Sequence, residues 1–357
     1  MIEYSKILNV LSELSVDAIM VSDGYNMRYI SDFTGATGYL LLLRDKKYLL
    51  TDFRYTFQAM EQTKESGFEI IEIGEKGYFE LINELLHDNK CRTVAFENEH
   101  LLFNDYLRMT KELKEVKFVH VDDKLKKLRI IKNSSEIERL KKAEAIGDIA
   151  FSNILNIIKP GVTELEIAAE LEYIMKKNGA EGISFETIVA SGVNSSMPHA
   201  CVSSKKIEKG DFVTMDFGCI FDGYCSDMTR TIVVGKASEE QRKIYDTVLK
   251  AQLAVLDVVK GGMKGSEVDK IARDMIEDEG YKNCFGHGLG HSVGLEIHEN
   301  PRFSPSENSI ILPGTIETVE PGIYIKDFGG VRIEDMIMLT EDGYQNFTNS
   351  EKRLIEL

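Results

Sequence analysis

Four carboxylates in the second half of the chain are spaced so that they could bind metal ions together. They are Asp216, Asp227, Glu320 and Glu334. Carboxylates held at close range cannot all remain ionised unless cations balance their charge, and two divalent ions would balance four of them. The stretch FGHGLGHSVGLEIHE (285–299) adds three histidines, of which His291 is the candidate nitrogen ligand. Mixed oxygen and nitrogen ligation suits Mn²⁺, Co²⁺, Zn²⁺ or Fe²⁺ better than Ca²⁺.

The first pair of carboxylates lies on a predicted β-hairpin, DFVTMDFGCIFDGYCSDMTRTIVV. Its Asp222-Gly223 pair is a strong signal for a two-residue turn, which places Gly218 opposite Asp227. Asp216 and Asp227 are then diagonal neighbours on one face, and Gly218 leaves room beside them. The other face carries apolar side chains, namely Met215, Phe217 and Met228. The pattern therefore favours a buried acidic pair over a surface hairpin with scattered acids.

The second pair lies on a similar segment, GTIETVEPGIYIKDFGGVRIEDMIML, with KDFGG as its turn. Glu320 ends the first strand, and Glu334 lies in the second strand beside Arg332 on the same face. The spacing of His287 and His291 superficially matches the helical HExxH zinc motif. That interpretation fails because the glutamate is missing and Gly288 and Gly290 disfavour a helix. A surface loop with chance histidines is the other alternative.

A weak internal repeat relates the segments that precede these two hairpins. Residues 153–179 align with residues 254–280 at a constant offset of 101, which pairs Gly161 with Gly262 and Gly179 with Gly280. Each copy reads as a helix, a glycine-bearing turn, a second helix and a glycine stop. The repeat predicts a pseudo-twofold α+β domain in which the two halves bring all four carboxylates into one cleft.

Residues 1–120 instead alternate strand and helix patterns, which predicts an α/β layer domain with a largely parallel sheet. No GxGxxG or Walker loop occurs there, so a nucleotide site is not expected. A capping box formed by Ser135 and Glu138 is expected to open a long amphipathic helix. We place the boundary near residue 125, giving domains at 1–125 and 126–357.

The composition excludes several classes of partner. The chain has 357 residues and a net charge of −16, which argues against binding to nucleic acid or to an anionic membrane surface. No apolar run approaches the roughly 20 residues of a membrane span, and the N-terminus does not read as a signal peptide. Five cysteines without a CxxC pair indicate reduced thiols and a cytoplasmic location.

The motifs together resemble the pita-bread-fold metallopeptidases, in the proline-peptide branch of aminopeptidase P and prolidase (Xaa-Pro dipeptidase). The matching stretches are FETIVASGVNSSMPHA, MDFGCIFDGYCSDMTRT, GHGLGHSVGLEIHE, TVEPGIYI and GVRIEDM in the second part, and YNMRYISDFTGATGYLLL and LLTDFRY in the first. The resemblance implies a creatinase-like α/β N-terminal domain followed by a pseudo-twofold α+β pita-bread (creatinase/aminopeptidase-like) catalytic domain. It covers nearly the whole chain.

The resemblance also implies a role for each site residue. Asp216 would hold one metal ion, Asp227 and Glu334 would bridge two ions, and His291 and Glu320 would complete the second site. The ions would be Mn²⁺ first, with Co²⁺, Zn²⁺ or Fe²⁺ as alternatives. The residues expected to act on the substrate, or to support those that do, are His199, His287, His298, Glu320 and Arg332.

The activity implied by the resemblance is hydrolysis of the bond before proline, with water activated by the metal pair, Glu320 as proton shuttle and His298 stabilising the oxyanion. The substrate would be a proline-containing peptide, either a longer peptide or a dipeptide, and the protein a homodimer. A methionine aminopeptidase, a non-catalytic binding protein of the same fold and a metal-free amidinohydrolase like creatinase are the alternatives. All five expected metal ligands are present, which disfavours the last two.

Overall fold

This computed structural model describes residues 3–357 and divides them into two compact units, one ending at Arg129 and one beginning at Ile130. The boundary predicted near residue 125 falls inside a short helix just before this division, and its exact position stays a prediction. None of the helices in residues 3–357 combines the length and the apolar composition needed to cross a membrane.

The first unit is built around a six-stranded sheet. Its helices are α1 (Tyr4–Leu14), α2 (Gly24–Ser31), α3 (Phe53–Gln62), α4 (Tyr78–Asp88), α5 (Phe103–Glu112) and α6 (Lys124–Lys127). Its strands are β1 (Ala18–Val21), β2 (Tyr39–Leu43), β3 (Lys47–Thr51), β4 (Glu69–Glu72), β5 (Thr93–Phe96) and β6 (Lys117–His120). The strand order is β4-β3-β2-β1-β5-β6.

This sheet is mixed, which corrects the prediction of a largely parallel one. β3 pairs with β4, β1 with β5, and β5 with β6 in parallel. β2, however, runs antiparallel to both of its neighbours, β1 and β3. The reason is that β2 and β3 form a hairpin joined by a short turn, whereas parallel neighbours need a longer crossover.

The second unit contains two helical hairpins and several antiparallel sheets. The helices are α7 (Ser134–Ile154), α8 (Glu164–Lys177), α9 (Glu239–Leu256) and α10 (Gly265–Asp278), with a 3₁₀ turn at Gly192–Ser196. The strands of the first half are β7 (Gly182–Ile183), β8 (Ile188–Ser191), β9 (Phe212–Phe217), β10 (Cys219–Phe221), β11 (Tyr224–Cys225) and β12 (Met228–Val233). Those of the second half are β13 (Gly290–Ser292), β14 (Glu299–Phe303), β15 (Ile316–Val319), β16 (Gly322–Ile325), β17 (Gly329–Arg332), β18 (Asp335–Leu339) and β19 (Tyr344–Asn346).

The predicted repeat is confirmed, because α8 and α10 begin and end 101 positions apart. Gly161 and Gly262, in the turns before them, have φ values of 98° and 95°. Gly179 and Gly280, at their ends, have 105° and 93°. These left-handed conformations are favourable for glycine and costly for other residues, so the glycines mark equivalent turns in both halves.

The capping box of helix α7 lies two residues earlier than predicted. Asn133 Oδ1 accepts hydrogen bonds from the backbone N–H groups of Ser135 and Glu136, and Glu136 Oε2 accepts from Asn133 N–H. The capping box is therefore Asn133 with Glu136 rather than Ser135 with Glu138. Asparagine is as good an N-cap residue as serine, and the preceding residues allow either start.

The first hairpin has the predicted register. Asp222 and Gly223 both have positive φ, 44° and 78°, and Phe221 pairs with Tyr224 across them. The same register continues between β9 and β12, where Asp216 lies opposite Thr229. Gly218 does not leave room, however, since a Cβ there would lie 1.9 Å from the Ser226 carbonyl oxygen. Its role is to let two backbone segments approach closely.

The second hairpin bends in the same way as the first. β15 pairs with β18, and beyond a bend β16 pairs with β17. Glu334 lies at the bend, directly before β18, rather than within a strand as predicted. Asp227 likewise directly precedes β12. Both hairpins therefore carry a carboxylate where the strand direction changes, and both point their apolar faces into buried clusters shared with the helices.

Candidate functional site

A cavity of about 660 Å³ lies in the second unit and contains every site residue predicted from the sequence. These residues are Asp216, Asp227, Glu320, Glu334, His199, His287, His291, His298 and Arg332. They come from both hairpins, from the loop after the 3₁₀ turn and from the segment 285–299, which contains β13. The structure thus brings together residues separated by up to 135 positions.

Three potential ligand side chains converge at the centre of the cavity. Donor atoms of Asp227, His291 and Glu334 all lie within 4.8 Å of one another, and all three residues are buried. His291 Nε2 is 3.4 Å from Asp227 Oδ2 and 3.5 Å from Glu320 Oε1. Asp216 contributes a buried Oδ1 that has no hydrogen-bond partner among the described residues. Such an orphaned acceptor is expected where an absent cation completes the site.

Burial and mutual repulsion raise the pKa values of these acids. Burial, followed by the charge of Asp216, raises the pKa of Asp227 well above its usual range. Burial and the charges of Asp227 and Glu320 do the same to the pKa of Glu334. The pKa of Glu320 rises to about 7, mainly through burial and against the effect of His291. Removing the charge conflict requires protons or cations, so the donor set fits divalent metal ions.

Neighbouring side chains hold the carboxylates in place. The hydroxyl of Thr229 donates to Glu334 Oε2 at 2.6 Å, and the hydroxyl of Thr318 donates to Glu320 Oε1 at 3.1 Å. Arg332 is buried and donates through Nη2 to Asp216 Oδ2 at 2.6 Å. The structure therefore places Arg332 as a partner of the Asp216 carboxylate. Groups that orient ligands in this way are a regular part of metal sites.

The histidines differ in how much of each ring is available. His287 has both nitrogens engaged, with Nδ1 at 2.8 Å from Gly288 O and Nε2 at 2.9 Å from the Tyr324 hydroxyl. The rings of His298 and His291 meet edge to face with centroids 4.4 Å apart. Burial is the main cause that lowers the pKa values of His287 and His298 to about 4. His199 lines the cavity and is exposed to it.

The sequence analysis missed two residues that the structure places here. Tyr324 joins Arg332 Nη1, at 2.7 Å, to the ring of His287. Arg302 lines the cavity from β14, opposite His291, and no described residue forms an ion pair with it. The motif EPGIYI contained Tyr324, but only the hairpin fold brings it to the site. No periodicity marked Arg302, because the register of β14 shifts beside His291.

Comparisons with known proteins agree with this geometry. A model of metallopeptidase family M24 matches residues 138–341, and one of the Creatinase/Prolidase N-terminal domain matches residues 4–131. An Xaa-Pro dipeptidase of Pyrococcus furiosus is 40% identical over 98% of both chains. A solved Xaa-Pro dipeptidase from Bacillus anthracis is 42% identical, covers 99% of both chains and superposes with a TM-score of 0.95.

A solved X-Pro aminopeptidase from Thermotoga maritima MSB8 is 36% identical, with a TM-score of 0.92 over 98% of this chain and 100% of that one. Both domain models are thus matched, and full-length relatives share the whole architecture. The predicted two-domain arrangement with a pita-bread catalytic domain is confirmed. The chain belongs to metallopeptidase family M24 and carries the Creatinase/Prolidase N-terminal domain ahead of its catalytic domain.

Proposed function

We propose that the protein is a metallo-exopeptidase that hydrolyses the Xaa-Pro bond, and that dipeptides are its preferred substrates. The observation that carries the reaction is the set of four carboxylates and one imidazole around a single cavity. The full-length relatives that are Xaa-Pro dipeptidases support proline specificity. Arg302 in the cavity wall, which has no ion-pair partner among residues 3–357, supports the preference for dipeptides.

The five ligand positions would hold two divalent ions, with Mn²⁺ as the first choice and Co²⁺, Zn²⁺ or Fe²⁺ as alternatives. The residues that would hold these ions are Asp216, Asp227, His291, Glu320 and Glu334. The orphaned Oδ1 of Asp216 and the clustered donors of the other residues support this assignment. When bound, the ions would polarise the substrate carbonyl and lower the pKa of water.

The protein's own side chains would handle the proton. The bond before proline is a tertiary amide, so its nitrogen has no N–H and must gain a proton when it leaves. Glu320 is the proposed shuttle from the attacking water to that nitrogen, and the hydroxyl of Thr318 fixes one of its oxygens. A ring N–H of His298 would donate to the oxygen of the former carbonyl as negative charge develops there.

The proline ring would rest against His199 and His287. Both nitrogens of His287 are already engaged, so its contact with the ring would be through carbon atoms. This suits an apolar pyrrolidine ring. Arg332 would act indirectly, by holding Asp216.

Arg302 would allow the protein to distinguish dipeptides from longer peptides. A dipeptide ends in a free carboxylate directly after proline, whereas a longer peptide has a neutral amide there. A charge-assisted pair between this carboxylate and an otherwise unpaired guanidinium would favour the dipeptide. Arg302 lies on the strand next to His291, which puts its side chain within the same cavity as the ligand set.

The test compares Ala-Pro, Ala-Pro-amide and Ala-Pro-Ala-Ala in the presence of Mn²⁺, with wild type and Arg302→Gln. We expect wild type to favour Ala-Pro. Arg302→Gln should raise the KM for Ala-Pro by about tenfold and leave the KM for Ala-Pro-amide unchanged. Asp227→Asn should abolish cleavage of all three peptides. Preference for the tetrapeptide would indicate an aminopeptidase P instead. No cleavage with any of the four metals would favour a methionine aminopeptidase or a binding protein.

We also propose a cytoplasmic homodimer. All five cysteines are free, which agrees with a reducing compartment. Helix α3 exposes Phe53, Phe57 and Met60, with 75%, 77% and 52% of their surfaces accessible. These residues recur at helical spacing and therefore share one face. An apolar stripe of this kind on a soluble protein is typical of an interaction surface.

A further inference from the structure

Residues 285–289, which we name the histidine loop, have little intrinsic rigidity. Gly286 and Gly288 flank His287, and glycine loses more conformational freedom on ordering than any other residue. No Cβ contact restrains Gly286, since nothing lies within 4 Å of where one would stand. The position of His287 therefore depends on contacts from elsewhere in the unit.

Two side chains of helix α10 hold the backbone of the loop. Arg273 donates through Nη1 to Phe285 O and through Nη2 to His287 O, both at 2.8 Å. Asp269 Oδ1 accepts from the backbone N–H of Leu289 at 3.0 Å. Helix α10 thus holds three alternate residues, in addition to the Tyr324 hydroxyl on the His287 ring and the Glu320 N–H that donates to Leu289 O.

The two side chains also hold each other. Asp269 is buried and accepts two hydrogen bonds from Arg273, at 2.8 and 2.9 Å. The guanidinium of Arg273 lies 4.4 Å from the centre of the Phe285 ring, which in turn contacts the ring of His287 edge to face. A bidentate pair with further donors to carbonyls is a rigid arrangement, since the planar fork fixes several bonds at once.

We propose that Asp269 and Arg273 are positioning residues that fix the histidine loop and thereby set the affinity for the peptide. This inference rests on the proposed function, in which His287 contacts the proline ring. His291 has separate supports: its N–H donates to the Thr318 hydroxyl at 3.1 Å, and β13 pairs with β14 and β15. Loosening the histidine loop should therefore weaken substrate binding and leave metal binding intact.

The first half of the unit has its own version of this anchor. Glu164, at the start of α8, is buried and accepts from the backbone N–H and hydroxyl groups of Ser191 and Ser203. The segment between these serines carries His199. In each half, the second helix of the hairpin thus supplies a buried carboxylate that secures the segment bearing a cavity histidine.

The experiment uses Arg273→Gln, Arg273→Lys and Asp269→Asn in the full chain. Asp274→Asn is the matched control, because Asp274 pairs with Lys270 on the same helix with the same spacing but is exposed. We expect Arg273→Gln to raise KM for Ala-Pro about tenfold with kcat within about threefold, and the lysine variant to fall between it and wild type. Asp269→Asn should also raise KM, and the control should not.

Two measurements without substrate separate this inference from the proposed function. Hydrogen exchange of residues 285–289 should quicken in both Arg273 variants, while Mn²⁺ affinity measured by titration calorimetry stays at the wild-type value. Unchanged exchange in the histidine loop, or a loss of Mn²⁺ affinity equal to the loss of peptide affinity, would overturn the inference. If wild type fails to cleave Ala-Pro, the proposed function fails, and exchange alone decides whether the pair fixes the loop.

Discussion

His287 illustrates how neighbouring donors fix a single form of an imidazole. Arg332 can only donate, so the Tyr324 oxygen accepts from it and directs its own proton to His287 Nε2. Nδ1 must then carry the ring proton, since Gly288 O can only accept. This tautomer follows from the hydrogen-bond network. Protonating Nε2 would require the Tyr324 hydroxyl to turn its proton away and would place a buried cation near Arg332.

The pH dependence of stability should report this arrangement. Burial, then the charge of Arg332, lowers the pKa of His287 to about 4, against an ordinary value near 6.5. Between these values the unfolded chain binds more protons at this site, so the contribution of His287 to stability falls as the pH falls, by about 2 kcal/mol at pH 5. We expect His287→Gln to lose less stability than wild type between pH 7.5 and 5, measured by urea unfolding with a chelator present.

The control is His87→Gln, because His87 is a histidine on α4 with a largely exposed side chain. That substitution should leave the difference in the free energy of unfolding between pH 7.5 and pH 5 unchanged. Equal losses of stability in wild type and His287→Gln between pH 7.5 and 5 would contradict the claim that the imidazole of His287 is neutral and hydrogen-bonded through both nitrogens.

At the scale of elements, Gly290 on β13 serves the packing of strands. A Cβ at Gly290 would lie 1.9 Å from the Thr318 carbonyl oxygen on β15, whereas a Cβ at Gly286 would meet nothing within 4 Å. The close approach at Gly290 is therefore to a neighbouring strand.

This difference predicts opposite outcomes for two similar substitutions. Gly290→Ala should destabilise the protein by about 3 kcal/mol or more, because the added methyl group would displace backbone rather than a flexible side chain. Gly286→Ala should be nearly neutral. Urea unfolding of both variants provides the check, and equal stability would show that β13 and β15 can separate without cost.

Elements were predictable where local rules decide them. The Asp222-Gly223 turn predicted its hairpin and its register, and the glycine-marked repeat predicted equivalent helices in the two halves, which are α8 and α10. The direction of β2 was missed because the short turn between β2 and β3 was not recognised. The bend at Glu334 was missed because it depends on pairing between distant segments. Arg302 was missed for the same reason, because its place in the cavity depends on strand register rather than on a motif.

At the scale of the whole molecule, the repeat explains why each half alone is incomplete. Asp216 and Asp227 come from the first half, and His291, Glu320 and Glu334 come from the second. Neither half alone offers the set of donors that two divalent ions need. The proposed metal site is therefore a property of the assembled unit, and ions bound there should stabilise the folded state.

The proposed dimer predicts how substitutions on α3 and α8 change the oligomeric state. We expect wild type to elute as a dimer and Phe57→Glu to elute as a monomer in size-exclusion chromatography with light scattering. The apolar residues Phe53, Phe57 and Met60 form what we name the α3 stripe. A charge at position 57 in this stripe would have to be buried without a partner in the interface. Leu165→Glu is the matched control, since Leu165 is an exposed apolar residue on helix α8 of the other unit.

Salt should then distinguish an apolar interface from one built on ion pairs. Each copy carries a net charge of −16, so repulsion between copies opposes association at low ionic strength. Salt screens this repulsion and leaves apolar contacts intact, so association through Phe53, Phe57 and Met60 should strengthen as salt is added. A wild-type monomer at all concentrations, or a dimer that dissociates as salt rises, would contradict association through the α3 stripe.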